Sequence, residues 1–295
     1  MITRFIDRCA HGISEGYNNR IASSIFFKAM AFYTFIKIVL LWKVTSTVAQ
    51  WHHVEFPKSW SLSKLFLLLS FGVSFDPSLF FIGALLLLAV TIWQGPNYLT
   101  NVLLCWICIN LYTINFATGD GSDLNLLILS IYALPLADRP RLKNEIGNHG
   151  QVILFNASRI LIRCHVAFIY LNSGVDKMLS DSWRSGDALN RIRHYEGLFN
   201  PTFPNFLQSG GWDTFFSWAT IATELTIALL IWIKPLRAAV LVLAILFHLM
   251  IWWMVTLPDF AIVMIVSLLI FVDDDQYTWL QNLKSRSRVV SYVRR

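Results

Sequence analysis

Long apolar runs alternate with short polar segments along the whole chain. The runs hold about 16 to 28 residues, and a helix of about 20 apolar residues crosses the roughly 30 Å of hydrocarbon in a bilayer. Because every backbone polar group must be satisfied within lipid, such runs predict helices rather than loops. The pattern predicts an all-α, polytopic membrane bundle of about eight transmembrane helices, at residues 22–49, 76–94, 98–118, 123–137, 152–176, 213–233, 237–256 and 258–272.

Two of these runs, 123–137 and 258–272, are short for a membrane crossing. Either is therefore a candidate for a re-entrant segment, and seven or six crossings are the alternatives to eight. The predicted organisation is an N-terminal segment at 1–20, a transmembrane domain at 21–273 with amphipathic outer-face segments near 51–64 and 180–211, and a basic tail at 274–295.

The composition excludes most soluble classes. Hydrophobic residues make up 56% of the chain, charged residues only 14%, and the mean hydropathy is +0.54. A soluble enzyme, a disulfide-rich secreted scaffold or a disordered chain could not keep this much apolar surface from water. The net charge is +6, but the sequence shows no nucleic-acid-binding motif. The excess of basic residues is instead typical of cytoplasmic segments that face anionic lipid.

The distribution of Lys and Arg predicts an orientation. With a cytoplasmic N-terminus, most basic residues lie on the inside, as the positive-inside rule requires. The sequence therefore predicts a multi-pass protein of the plasma membrane with both termini in the cytoplasm. The loop 177–211 is an exception on the outer side, because it mixes basic and acidic residues and is typical of a folded surface.

Ionisable residues within the predicted spans are the first place to look for function, since each costs roughly 2.5 to 3.5 kcal/mol at a helix centre. Lys28 and Lys37 lie in the first span, and for both the simplest interpretation is a side chain that extends to the interface. Arg159, Arg163 and His165 lie in the fifth span.

Lys177 follows Arg163 by 14 residues. On a helix it falls within about 40° of the same face and roughly 21 Å farther along the axis. The sequence thus predicts a cationic stripe that lines a cavity open to the outer face. Ser173 and Gly174 would allow another helix or a ligand to approach the backbone closely.

Lys177 is the candidate base of this region, because partial removal from water favours the neutral form of a lysine. The alternative is a lysine that extends to the outer interface and pairs with Asp181. Glu224 is either a site residue or a structural partner of Arg159 or Arg163. His248 is either a functional group or a neutral imidazole bonded to another helix.

Two further patterns are weaker. Cys105 and Cys108 are spaced like a thiol redox motif, but their apolar setting favours simple packing. His52 and His53 are adjacent and lack nearby ligands at helical spacing, so no metal site is predicted.

Two stretches of the sequence resemble the membrane domain of vitamin K-dependent gamma-carboxylase and its bacterial relatives, the HTTM family. The family pattern has an arginine, a tyrosine, alanine-glycine-valine, a lysine and an aspartate-tryptophan, with the same gap of 14 residues from arginine to lysine. The matching residues of the first stretch are Arg163, Tyr170, Gly174, Val175, Lys177, Asp181 and Trp183. Those of the second are Glu224, Leu225, Pro235, Arg237, Phe247, His248, Asp259 and Phe260.

The resemblance implies a chemistry and its residues. In the carboxylase the lysine deprotonates a reduced naphthoquinone, whose oxygenated form removes a proton from a glutamate side chain of the substrate. By this likeness Lys177 is the base, His248 is a pocket or acid/base group, and a reduced, vitamin K-like quinone is the expected cofactor. The implied substrate- or quinone-binding residues are Arg159, Arg163, His165, Tyr170, Gly174, Asp181, Trp183 and Glu224.

The carboxylase also carries a large extracytoplasmic domain, whereas 23 residues follow residue 272 here. The architecture is more similar to SdpB-type members, small HTTM proteins that act in the maturation of secreted toxic peptides. The expected partners are then a secreted peptide precursor, a soluble accessory protein and the lipid bilayer. A peptide exporter and a non-catalytic immunity or scaffold protein remain the alternatives to an enzyme.

Overall fold

The computed structural model describes residues 20–45, 77–115, 121–136, 149–195, 197–204, 206 and 210–274. Helices dominate these ranges, and no strand occurs in them. The predicted N-terminal segment at 1–20, except Arg20, lies outside the described residues, as do the amphipathic segment near 51–64 and the basic tail after Asp274. The helices are α1 Arg20–Thr45, α2 Pro77–Gln94, α3 Tyr98–Asn115, α4 Ser122–Tyr132, α5 His149–Leu179, α6 Asp181–Ser185, α7 Asp187–His194, α8 Gly210–Leu230, α9 Lys234–Val255 and α10 Pro258–Leu268, followed by a 3-10 turn at Leu269–Phe271.

Among the described residues, three helical segments are long and apolar enough to cross a membrane: Arg20–Trp42, Gln151–Leu179 and Lys234–Val255. Shorter apolar helices accompany them, and α4 is among these with only 11 residues. At 1.5 Å per residue α4 is about 17 Å long, which is well short of the hydrocarbon thickness. The all-α prediction is therefore confirmed for the described residues.

The helix α5 runs from His149 to Leu179 and so extends three residues beyond the predicted span 152–176 at each end. Lys177 therefore lies in the last turn of α5 and not in a loop.

The chain divides into two compact units. The first comprises residues 1–162 and 272–295, and the second comprises residues 163–271. The long helix α5 thus contributes its first half to one unit and its second half to the other.

Side chains complete several helix ends of the first unit. Asp274 accepts hydrogen bonds from the backbone N–H groups of Ile21 and Ala22, at 3.1 and 2.8 Å, and so caps the start of α1. Asn97 and Thr100 bond reciprocally at the start of α3, directly after a turn at Gly95 with φ of 77°. Asn101 donates to the carbonyls of Ala133 and Leu134 at the end of α4. These bonds satisfy backbone groups that have no partner within their own helix at its ends.

Lys37 forms a buried ion pair with Asp123 in the first unit. Lys37 Nζ lies 2.6 Å from Asp123 Oδ1 and 3.2 Å from Ser122 Oγ, and only 4% of the Lys37 side chain is exposed. The interpretation of Lys37 as a side chain extended to the interface was therefore wrong, because Asp123 of α4 places a carboxylate beside it. Lys28 lies nine residues before Lys37 on α1 and is half-buried beside the turn at Gly95.

Cys105 and Cys108 of α3 are buried free thiols in the same unit. Their exposed fractions are 7% and 1%, as expected for cysteines that pack as small apolar residues. The packing interpretation is thus confirmed for both.

The Lys37–Asp123 pair generates a stability prediction. Lys37→Met or Asp123→Asn alone leaves one buried charge without its counter-ion, a loss of about 3–5 kcal/mol. Either variant should lower the thermal unfolding midpoint of the purified protein, and the double variant should recover much of the loss. Lys28→Met on the same helix is the control and should change the midpoint little. A double variant as unstable as the single ones would contradict this account.

Candidate functional site

Lys177 and Glu224 form a buried ion pair in the second unit. Lys177 comes from the last turn of α5 and Glu224 from the middle of α8. Lys177 Nζ lies 2.9 Å from Glu224 Oε1 and 3.0 Å from Oε2, so one ammonium bridges both carboxylate oxygens. The exposed fractions of the two side chains are 17% and 8%. Such burial makes a charge expensive unless it is paired, and here each charge has the other as its partner.

Ser173 completes this cluster from the preceding turn of α5. Its hydroxyl accepts a hydrogen bond from Lys177 and donates one to Glu224 Oε1 at 3.0 Å. Residues four apart share one face of a helix, so Ser173 and Lys177 both face α8. We call Ser173, Lys177 and Glu224 the lysine cluster.

Gly174 allows α8 to approach α5 this closely. A Cβ atom at Gly174 would lie 2.9 Å from Leu225 Cδ2 and 3.3 Å from Glu224 Cβ. Real Cβ atoms essentially never make the first of these contacts. The prediction that a small residue here permits close approach of another helix is therefore confirmed, and the neighbouring helix is the one that carries Glu224.

Trp183 of α6 covers the lysine cluster, with its ring centroid 5.1 Å from Lys177 Nζ. This is within range of a cation–π interaction. The following Gly186 has φ of 90° and lies directly against the backbone of Thr214 at the start of α8. Thr214 also donates to the carbonyl of Ser185, at 2.8 Å. The short helix α6 is thus fixed to α8 on the same side as Lys177.

Asp181 does not serve as the counter-ion of Lys177. It pairs with Arg184 in the next turn, and its side chain is 94% exposed. The alternative interpretation, a Lys177–Asp181 pair at the interface, was therefore wrong, because Glu224 offers a far less exposed carboxylate. Asp176 is exposed as well and accepts a hydrogen bond from Asn172.

Tyr170 and His248 form a second buried pair. Tyr170 Oη lies 2.6 Å from His248 Nε2, and the exposed fractions are 2% and 1%. Phe260 of α10 packs against the imidazole, with 5.9 Å between ring centroids. His248 Nδ1 has no hydrogen-bond partner among the residues that the structure describes. Tyr170 precedes Lys177 by seven residues, two turns of one helix face, so both pairs line the same side of α5.

The predicted arginines lie elsewhere. Arg163 donates from Nε to the carbonyl of Ile270 at 3.0 Å and lies over the ring of Phe271, so it completes the end of the 3-10 turn. Arg159 is buried and belongs to the first unit. His165 is half-buried on α5. Glu224 pairs with Lys177, so the interpretation of Glu224 as a partner of Arg159 or Arg163 was wrong.

The segment after α6 contains ion pairs and backbone contacts that the sequence did not reveal. Arg193 at the end of α7 pairs with Asp213 of α8, and burial lowers the pKa of its guanidinium. Asn200 binds the end of α9 through the carbonyls of Trp253 and Met254, at 2.9 and 3.0 Å. The mixed charges of this loop had predicted a folded surface, and the described part is indeed folded. Only its individual pairs could not be read from the sequence, because both signs occur there several times.

No group of three or more His, Cys, Asp or Glu side chains that could hold a metal ion occurs in the described part of the chain. The polar groups that converge here are an ammonium, a carboxylate, a hydroxyl, a phenol and an imidazole. Such groups can donate and accept protons.

Comparison with known protein families matches residues 142–276 to the HTTM domain. The matched range contains the lysine cluster and the Tyr170–His248 pair. No curated protein and no solved structure matches the chain.

The contact at Gly174 generates a prediction about packing. Gly174→Ala places a methyl group against Leu225, and overpacking of this kind costs about 1–3 kcal/mol. The variant should lower the thermal unfolding midpoint, and Gly174→Ala combined with Leu225→Ala should recover part of the loss. Gly83→Ala in α2 is the control, because nothing lies within 4 Å of the added atom. Equal midpoints for Gly174→Ala and Gly83→Ala would show that α5 and α8 do not approach so closely.

Proposed function

We propose, from the match of residues 142–276 to the HTTM domain, that the protein modifies or matures a secreted, toxin-like peptide at the outer mouth of its helical bundle. The chemistry is carboxylase-like, and the lysine cluster is its proton-transfer centre. The observation that carries the proposal is the buried Lys177–Glu224 pair. Intramembrane charges are retained mainly where they have a partner and a task.

The proposed topology has an even number of crossings in the plasma membrane, eight, or six if the short helices α4 and α10 are re-entrant, with both termini in the cytoplasm. The cap that Asp274 provides for the start of α1 supports it, since the bond requires residues 21 and 274 to lie on the same side. An even number of crossings satisfies this requirement. The lysine cluster then faces the outer side, where a secreted peptide is accessible.

The residues present fit a reduced quinone as the cofactor. Its hydroxyl groups need hydrogen-bond partners in an apolar surrounding, and the orphaned Nδ1 of buried His248 offers one. Tyr170 and the apolar ring of Phe260 hold the imidazole in place. When bound, a quinone of this type would supply the oxidative chemistry that makes a strong base. Tyr170 and His248 would hold it, while the lysine cluster would take up the proton.

The decisive experiment compares the intact mass of the secreted peptide from producing cells that carry the wild-type protein or Lys177→Met. We expect a discrete modification, such as the addition of one carboxyl group, that is lost in the variant, because Lys177 is required for proton transfer. Lys234→Met, an exposed lysine at the start of α9, is the matched control and should leave the mass unchanged. The variants are compared at equal membrane abundance.

Lys177→Met leaves Glu224 buried without its counter-ion, so the double variant Lys177→Met with Glu224→Gln separates folding from function. The double variant should accumulate normally and still yield unmodified peptide. Identical peptide masses and yields in all strains would refute the catalytic proposal and leave a peptide-binding or immunity role. Mature peptide trapped inside cells that lack the protein would indicate export instead.

A further inference from the structure

The donors of Lys177 are fully used within the lysine cluster. An ammonium has three N–H donors and no acceptor. Lys177 Nζ has three acceptors at hydrogen-bond distance, namely Ser173 Oγ and the two oxygens of Glu224. The face of Trp183 covers it as well, which also favours a cation. This arrangement matches a protonated Lys177, which has no lone pair with which to accept another proton.

Glu224 retains the accepting capacity of the cluster. Each carboxylate oxygen accepts about two hydrogen bonds. Oε1 already accepts from Lys177 and from Ser173, whereas Oε2 accepts from Lys177. One lone pair of Oε2 is therefore left over after the bonds of the lysine cluster are counted.

We infer that Glu224, and not Lys177, is the group that first accepts the proton from a bound weak acid, while Lys177 stays charged beside it. This inference rests on the proposed function, since it assigns the proton acceptor of the same site. In the step, the X–H bond of the acid breaks and its electron pair stays on X. The proton forms an O–H bond at Glu224 Oε2, and no electron leaves the system.

The charge balance favours this order of events in a site shielded from water. Before transfer, the ammonium and the carboxylate cancel and the acid is neutral. After transfer, Glu224 is neutral and the ammonium of Lys177 faces the new anion, so the total charge is unchanged. Unpaired charge in a low dielectric is costly, and at no point does this path create it.

The same balance defines the class of substrate or cofactor. The site accepts a neutral weak acid with a polarisable anion, such as a phenol or a hydroquinone. A molecule that arrives already as an anion would meet the carboxylate of Glu224 and be repelled. Ser173 is a positioning residue here, because its hydroxyl holds Lys177 and Oε1 together and uses no lone pair of Oε2.

The protonation state of Lys177 can be measured without any knowledge of the reaction. Reductive methylation with formaldehyde and a hydride donor modifies only the neutral amine, and peptide mass spectrometry gives its rate at Lys177 in the purified, full-length protein. We expect slow methylation of wild-type Lys177 between pH 7 and 9, relative to exposed Lys234 in the same sample. Glu224→Gln should accelerate it at least tenfold, since a nearby opposite charge changes proton affinity by about 10- to 1000-fold.

Ser173→Ala controls for access, because it opens the lysine cluster and removes one acceptor of Lys177 but keeps the carboxylate, so its acceleration should be well below that of Glu224→Gln. Wild-type Lys177 that is methylated as fast as in Glu224→Gln would overturn the inference, because Lys177 would then be a neutral base. The peptide-mass experiment would be unaffected by that result, so failure of the inference and failure of the proposed function are distinguishable.

A pair of variants tests the acceptor itself in peptide-producing cells. Lys177→Arg keeps a cation that cannot lose its proton, and Glu224→Gln keeps the shape but not the charge. We expect Lys177→Arg to retain measurable peptide modification and Glu224→Gln to abolish it. The opposite pattern, an inactive Lys177→Arg with an active Glu224→Gln, would overturn the inference. Where both are inactive, the methylation rates decide.

Discussion

The pairing of buried charges is the constraint on which this structure depends. A charge within hydrocarbon is tolerated when an opposite charge or a set of backbone carbonyls compensates it. Among the described residues, ion pairs join helices far apart in sequence in both units, Lys37–Asp123 in the first and Lys177–Glu224 in the second. Arg163 and Arg237 use the other solution, because each donates to a carbonyl at the end of a helix. The pairs therefore fix which helices are neighbours and at what height they meet.

Close backbone approach is the second requirement, since the two side chains of an ion pair must reach each other at nearly full burial. Gly174 meets it for the Lys177–Glu224 pair by leaving room for Leu225. The cover above this pair depends on glycine for a different reason, because Gly186 has a positive φ and no space for a side chain beside Thr214. One glycine thus sets the distance between two helices, and the other sets the direction of the chain above them.

The sequence allowed the helices to be predicted but not most of their contacts. Apolar runs located eight of the described helices because backbone satisfaction in lipid leaves few other conformations, whereas α6 and α7 lie in the segment predicted as a loop. The close approach of another helix at Gly174 was also predictable, since a residue without a side chain leaves space beside its own backbone. The partner of Lys177 was not, because Asp181 is four residues away whereas Glu224 is 47 away, and spacing favours the local carboxylate. Only tertiary packing shows that Asp181 stays in water, where pairing gains little. The hydrogen bond between Ser173 and Lys177 could have been expected from their spacing, because residues four apart share one face of a helix.

A structural ion pair differs from a catalytic one in the hydrogen-bonding capacity that its groups retain after the pair has formed. A pair whose donors and acceptors are all used can only stabilise the fold, and Lys177 by itself meets that description. Glu224 does not, because a carboxylate has more acceptor sites than one ammonium and one hydroxyl fill. A lysine in such a pair is more useful as a fixed cation than as a base, since its charge stabilises whatever anion the carboxylate creates. On the proposal that Glu224 accepts the proton, the ion pair argues against a free lysine base, and the ammonium that remains would stabilise the new anion.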